Sequence, residues 1–300
     1  MLTGILAGLA AGALWGLVFV APRMLPMGAG AYSSIDLTAG RFAVYGVMAA
    51  AVMLIGMRTR RLPTLRQAGA ALFMSVLGFS GYYLLLVLAI RDAGTEVPSL
   101  VIGTIPVWVM LLGKPQGLRW AALLPGLALT LAGLALMMGS THAAGQGVAL
   151  HFWRGMLFAA GSLVCWTAFA ILNSAWLKRH PEVNATDWAN WLGVATGLGA
   201  LLMWGVAGSD AGVLAGREDR WMFVLLCVVA GVGSTWLATI LWNMASQRLS
   251  ASLCGQLIVS ETIFALLYSF AWDGHWPTLV QLTACVLFTL GILASIRAHR

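Results

Sequence analysis

Glu261 and Arg41 are the ionisable residues that stand deepest inside long apolar stretches of this chain. Carrying such a side chain to mid-bilayer costs about 2.5–3.5 kcal/mol on insertion scales, so each must face a partner or a watery cavity. Ser252, Gln256 and Ser260 recur at four-residue spacing beside Glu261, a polar stripe that turns one side of its helix away from lipid. A carboxyl there can carry a proton in exchange for substrate or balance an amine; equally, it can pair with Arg41 or nearby hydroxyls and hold helices together. Arg41 lies closer to the interface, where snorkelling gives it a structural use. Aromatic side chains form the second group. Trp15, Tyr82, Tyr83, Trp108, Trp166, Trp236 and Trp242 lie deep in apolar stretches, where a ring offers an apolar face, a hydrogen-bonding edge and a π-face for ammonium. All but Trp242 are candidate substrate contacts, joined by Gln256 and by Asn243, which shares a helix face with Trp236 seven residues away. Helix packing is the competing use of each ring. Pro98 and Pro106 free backbone carbonyls and favour a kink usable as a gate or hinge.

The elements that position these residues follow from composition. The 300 residues are 60% hydrophobic and 9% charged, with mean hydropathy +0.88. A soluble domain needs roughly a quarter of its residues charged, so most of this surface faces lipid. Cys165, Cys227, Cys254 and Cys285 lie in apolar stretches without a CxxC pair or ligand-spaced histidine, and read as small core residues; no metal site or cofactor is expected.

Cutting the chain at charge, proline and glycine clusters leaves ten spans, at about 2–22, 34–56, 68–90, 95–112, 120–139, 155–177, 187–207, 221–243, 250–271 and 277–296. The expected fold is therefore all-α and membrane-integral, with loops too short for a separate soluble module. The exit of the first span, Val20-Ala21-Pro22-Arg23, is a poor cleavage signal, which predicts a retained first helix and a mature start near Met1. With a cytoplasmic N-terminus, eleven basic residues fall on the cytoplasmic side: Arg58, Arg60, Arg61, Arg66, Lys114, Arg119, Lys178, Arg179, Arg248, Arg297 and Arg300. Arg23, Arg91, Arg154, Arg217 and Arg220 fall opposite, with Asp36, Asp92, Glu96, Asp210, Glu218, Asp219 and Asp273. This asymmetry predicts an inner-membrane protein with both termini cytoplasmic, and reads Arg58–Arg61 as a topology signal rather than a nucleic-acid site. His142, His151, His180, His275 and His299 all fall in loops or at the end, which excludes a mid-membrane histidine relay. Six tryptophans near span ends, Trp120, Trp153, Trp188, Trp221, Trp272 and Trp276, read as interfacial anchors.

The second half repeats the first weakly but in order. An offset of 151 pairs Trp15 with Trp166 and Asp36 with Asp187, 156 lays Leu100–Trp108 on Gln256–Phe264, and 158 pairs Gly133 with Gly291. Five spans per half, an odd number, invert the second repeat relative to the first. The expected units are 1–140 and 152–297. Inverted repeats give two nearly equivalent conformations around a midplane site, the basis of alternating access. A scaffold or receptor without flux is the alternative built by the same duplication. Gly4, Gly8, Gly12 and Gly16 add a seam along which another helix can approach closely.

On Ala13-Leu14-Trp15-Gly16, Arg41, and Ala89-Ile90-Arg91-Asp92-Ala93-Gly94 running on to Ile105-Pro106, the chain resembles the drug/metabolite transporter superfamily, in its ten-helix EamA-type branch, over its whole length. The resemblance implies two inverted five-helix repeats and transport of small organic metabolites, amino acids or related compounds among them, with efflux as the expected direction. Gly103-Thr104-Ile105-Pro106 departs from the aromatic amino-acid exporters, and Thr262 stands after Glu261 where many relatives carry proline. No Ser–His pair, aspartate pair, HExxH or nucleotide loop occurs in the spans, so neither an intramembrane enzyme nor an ATP-driven pump is expected. The expected function is secondary transport of a small molecule across the bilayer, with protons as the coupling ion and the site between spans 1, 3, 4, 6, 8 and 9; the oligomeric state is left open.

Overall fold

The computed structural model describes residues 1–19, 24–25, 32–56, 62–93, 96–141, 151–274 and 276–299, all helix, turn or short connection with no strand among them. Val20 to Arg23, Arg58, Thr59, Arg60, Arg61, Gly94, His142, His275 and Arg300, with the side chains of Glu96 and Asp273, lie outside the described residues. The helices are α1 (Leu2–Gly16), α2 (Ser34–Ile55), α3 (Leu65–Ser75), α4 (Gly81–Ala93), α5 (Glu96–Gly103), α6 (Ile105–Leu112) and α7 (Trp120–Thr141) in the first half. The second holds α8 (Phe152–Arg179), α9 (Ala185–Ala207), α10 (Ala211–Ala215), α11 (Arg220–Val229), α12 (Ala238–Arg248), α13 (Ala251–Asp273) and α14 (Leu279–Ala298). A π-helical stretch, Val76–Ser80, joins α3 to α4, and another, Ala230–Leu237, joins α11 to α12.

Among the described residues, seven helices are long and apolar enough to cross a membrane: Ile35–Ile55, Leu65–Ala93, Phe152–Arg179, Ala185–Ala207, Arg220–Arg248, Ala251–Trp272 and Leu279–Ala298. At the first, fourth and fifth expected spans the apolar helices are shorter, Leu2–Gly16, Val101–Leu112 and Trp120–Leu136. The fourth differs for a local reason. Instead of one kinked helix, the chain breaks at Thr104, whose hydroxyl donates to Val101 O (2.6 Å), and Pro98 and Pro106 sit in the first turns of α5 and α6. A first-turn proline gives up an N–H that has no helical acceptor, so it starts a helix rather than bending one. α13 runs unbroken past Thr262.

Cap chemistry explains one repeat signal. Ser33 accepts from the Asp36 N–H and Asp36 accepts from the Ser33 N–H at the start of α2, while Asn184 accepts from the Asp187 N–H and donates to its carboxylate at the start of α9. Both aspartates occupy the third helical position, where a carboxylate satisfies orphan backbone donors. Asp36 also accepts from the Ser209 backbone N–H (2.8 Å) and hydroxyl (2.7 Å), tying the start of α2 to the end of α9.

Without water between helices, small residues decide how near they come. A Cβ on Gly46 would lie 2.6 Å from the Gly197 Cα, so the backbones of α2 and α9 touch; Tyr45 donates to Ala189 O (2.6 Å) beside that contact. Gly126 faces Ser295 and Gly133 faces Phe288, so α7 and α14 run antiparallel. The seam on α1 faces α12 and α13: Gly4 meets Leu249, Gly8 meets Leu257, Gly12 meets Ser260 and Gly16 meets Phe264. Cys227 and Cys254 are buried, Cys165 and Cys285 half-buried, and all four are free.

Candidate substrate site

Three helices bring indoles together near the middle of the bundle. Trp15 of α1, Trp166 of α8 and Trp242 of α12 form a triangle with centroid separations of 6.2 Å (Trp15–Trp166), 5.3 Å (Trp15–Trp242) and 6.0 Å (Trp166–Trp242). Trp242 is 1% exposed and its Nε1–H meets no acceptor, nor does the neighbouring Thr167 hydroxyl have a partner. From Trp166, edge-to-face contacts lead through Phe169 (6.1 Å), Phe79 (5.6 Å) and Phe42 (5.8 Å) to Tyr83 (5.9 Å) and Tyr82 (5.9 Å). Such geometry sets the positive ring edge against the negative face. Arg41 closes the series, its guanidinium over Phe42 (4.8 Å) and Tyr83 (5.2 Å) and its Nε buried without an acceptor.

Glu261 lies where α1 and α13 approach closely, since a Cβ on Gly12 would stand 3.2 Å from its backbone N. No direct ion pair joins it to Arg41 among the described residues, which sets aside the simple paired reading. The Tyr82 phenol is within electrostatic reach of both charges, and Glu261 within reach of Arg41. Glu261, Arg41, Tyr82, Tyr83, Trp15 and Trp166 all keep partial exposure although they lie inside apolar helices.

Other expected contacts sit elsewhere. Asn243 is fully buried and accepts from Asn173 Nδ2 (3.0 Å), while Trp188 Nε1 donates to Asn173 Oδ1 (2.6 Å). Trp236 instead donates to Asn190 Oδ1 (2.8 Å) on α9. Asn243 Nδ2 also donates to Ala185 O (3.5 Å) of α9, so Trp236 and Asn243 bond to the same helix although Trp236 lies in the π-helical stretch. Gln256 is also fully buried, bonded to Thr130 on α7 (2.9 Å). Ser260 donates to Leu257 O (2.7 Å) beneath Gly12, so the stripe packs against neighbouring helices instead of lining a path. Trp108 is 45% exposed and shares an outward face of α6 with Leu112. Pro98 and Pro106 are buried on either side of the Thr104 break.

The reading of single residues missed Asn173 and Asn190, though an amide inside an apolar run is itself a signal. It also missed both π-helical stretches, which precede Tyr82 and contain Trp236; such stretches recur at functional sites.

Long apolar helices packed through glycines define a multi-helix membrane protein. The EamA-like transporter family model matches residues 2–139 and again 153–297, and the chain belongs to that family. It is 30% identical over 315 residues to the inner membrane protein YtfF of Escherichia coli (strain K12), covering 99% of this chain and 96% of that protein. A solved crystal structure, 23% identical, shares the fold with a TM-score of 0.78 over 99% of this chain and 97% of its own.

Proposed function

We propose that the protein is a secondary transporter that moves a small organic metabolite, an amino acid or related compound, outward across an inner membrane by alternating access, with both termini cytoplasmic. Ten spans in two inverted five-helix repeats, residues 1–140 and 152–297, carry the motion. Helix directions support this reading. The contacts Gly46–Gly197 and Ala49–Gly193 run antiparallel between α2 and α9, Gly8–Ala245 and Gly4–Arg248 antiparallel between α1 and α12, and Gly8–Leu257 and Gly16–Phe264 parallel between α1 and α13. Spans one, two, seven, eight and nine of an alternating ten-span chain require those directions. Gly46 and Gly197 are also separated by 151, the repeat offset, as expected of equivalent residues meeting on a pseudo-two-fold axis.

The observation that carries the function is the run of rings from the indole triangle to Tyr83 and Tyr82, with the Arg41 guanidinium over Tyr83 and Glu261 within electrostatic reach of Arg41 and Tyr82. Arg41 suits the anionic end of a dipolar solute, and Glu261 with the π-faces suits its cationic or apolar end. A carboxyl shared between proton and substrate couples the two fluxes by competition. In proteoliposomes, Glu261→Gln is expected to abolish pH-gradient-driven uptake of the substrate while counterflow persists. An unchanged gradient dependence rejects the coupling role. Substrates are found by a thermal-shift screen of amino acids, amines and nucleosides, because a ligand selective for the folded state raises the melting temperature.

A further inference from the structure

Two helix contacts near opposite ends of the bundle are equivalent under the repeat, yet only one carries an ion pair. Gly4 on α1 packs against Leu249 at 2.9 Å, measured from a built Cβ, and Gly155 on α8 packs in the same way against Ala93 at 2.5 Å. The offsets of 151 and 156 make Gly155 the counterpart of Gly4 and Leu249 that of Ala93. Beside Gly155, Arg154 donates through Nε (2.5 Å) and Nη2 (3.1 Å) to the Asp92 carboxylate, which also accepts from Arg91 Nε (3.2 Å). The Asp92 side chain is 3% exposed while the Arg154 side chain is 52% exposed, so the carboxylate is sealed between α4 and α8 under its two cations. At the other end the same offsets put Thr3 in place of Arg154 and Arg248 in place of Asp92. Arg248 donates to Met244 O of its own helix, and no ion pair forms there among the described residues.

Perfect inverted repeats would weight their two conformations equally. A bidentate, charge-assisted contact at one end alone removes that balance, because separating α4 from α8 strands a buried carboxylate. We propose that Asp92 and Arg154 form an end-specific latch that sets the resting conformation, holding the Arg154 end closed and leaving the Thr3 and Arg248 end as the one that opens at rest. Both are positioning residues: they act on the equilibrium between states, without touching the solute. The inference rests on the alternating-access reading of the same bundle.

The test reads access rather than flux. The four native cysteines are replaced by alanine, Tyr82→Cys serves as an interior reporter, and an impermeant thiol reagent is applied to vesicles of each orientation. Asp92→Asn is expected to raise labelling from the Arg154 face at least about fivefold, the lower range of conformational couplings, and to lower it from the opposite face. The charge swap Asp92→Arg with Arg154→Asp is expected to restore the wild-type ratio. Thr3→Asp, which offers Arg248 a partner, is expected to shift access in the reverse sense. Folded Asp92→Asn protein whose labelling is unchanged, or rises equally from both faces, overturns the latch, since a purely structural pair affects melting temperature without side preference. A wild-type reporter reached from neither face removes the alternating-access reading, and the latch with it.

Discussion

At the scale of single residues, depth in an apolar run and chemistry at that depth turn out to be separate questions. Trp15 and Trp166 were legible as a related pair because the repeat offset joins them, and they meet at 6.2 Å. Gln256 and Asn243 read as candidate substrate contacts, and which helix each bonds was not legible, because a partner on another segment leaves no mark in local sequence. The same blindness hid Asp92 and Arg154, 62 residues apart. The Asn173 amide illustrates what such junctions hold together: it donates to Asn243 and accepts from Trp188, linking α8, α12 and α9. Asn173→Leu is expected to destabilise the folded protein by about 1–3 kcal/mol, since it leaves the Trp188 Nε1–H and the Asn243 Oδ1 buried without partners. Adding Asn243→Leu should cost less than the sum of the two single changes. Chemical unfolding in detergent that shows strict additivity would count against a shared network.

At the scale of elements, periodicity located the helices and the glycine seam, and the seam lies where close approach is needed, against Leu257, Ser260 and Phe264. What periodicity could not carry was a change of phase. Trp236 lies in a π-helical stretch, and a proline-bearing break at Thr104 divides what reads as one span. Both are local departures from 3.6 residues per turn, invisible to an argument that assumes that number. Close approach can be tested within one protein. Gly46→Ala forces a methyl group to within 2.6 Å of the Gly197 Cα and is expected to lower the melting temperature by several degrees. Gly69→Ala, with nothing within 4 Å of the added Cβ, is expected to be neutral or to stabilise α3 by up to about 1 kcal/mol. Equal effects of the two changes would remove the argument that backbone contact fixes the α2–α9 crossing.

At the scale of the whole molecule, composition made the all-helical membrane class readable, while charge distribution and the weak repeat supply expectations of orientation and symmetry. Eleven basic residues on one side against five on the other predict that both ends of the chain face the cytoplasm. Epitope tags at Met1 and after the last residue should therefore be shielded from an impermeant probe in intact cells and reached together on permeabilisation; tags reached on opposite sides would require an odd number of crossings. The α2–α9 crossing carries a further implication. Under the proposed alternating access, a point that both halves share in the same way has nowhere to go, so Gly46 and Gly197 are expected to mark a fulcrum. Tethering the chain at that spot should leave turnover running, whereas the same tether at either rim should arrest it, making the pivot a natural anchor for attaching probes to a working carrier.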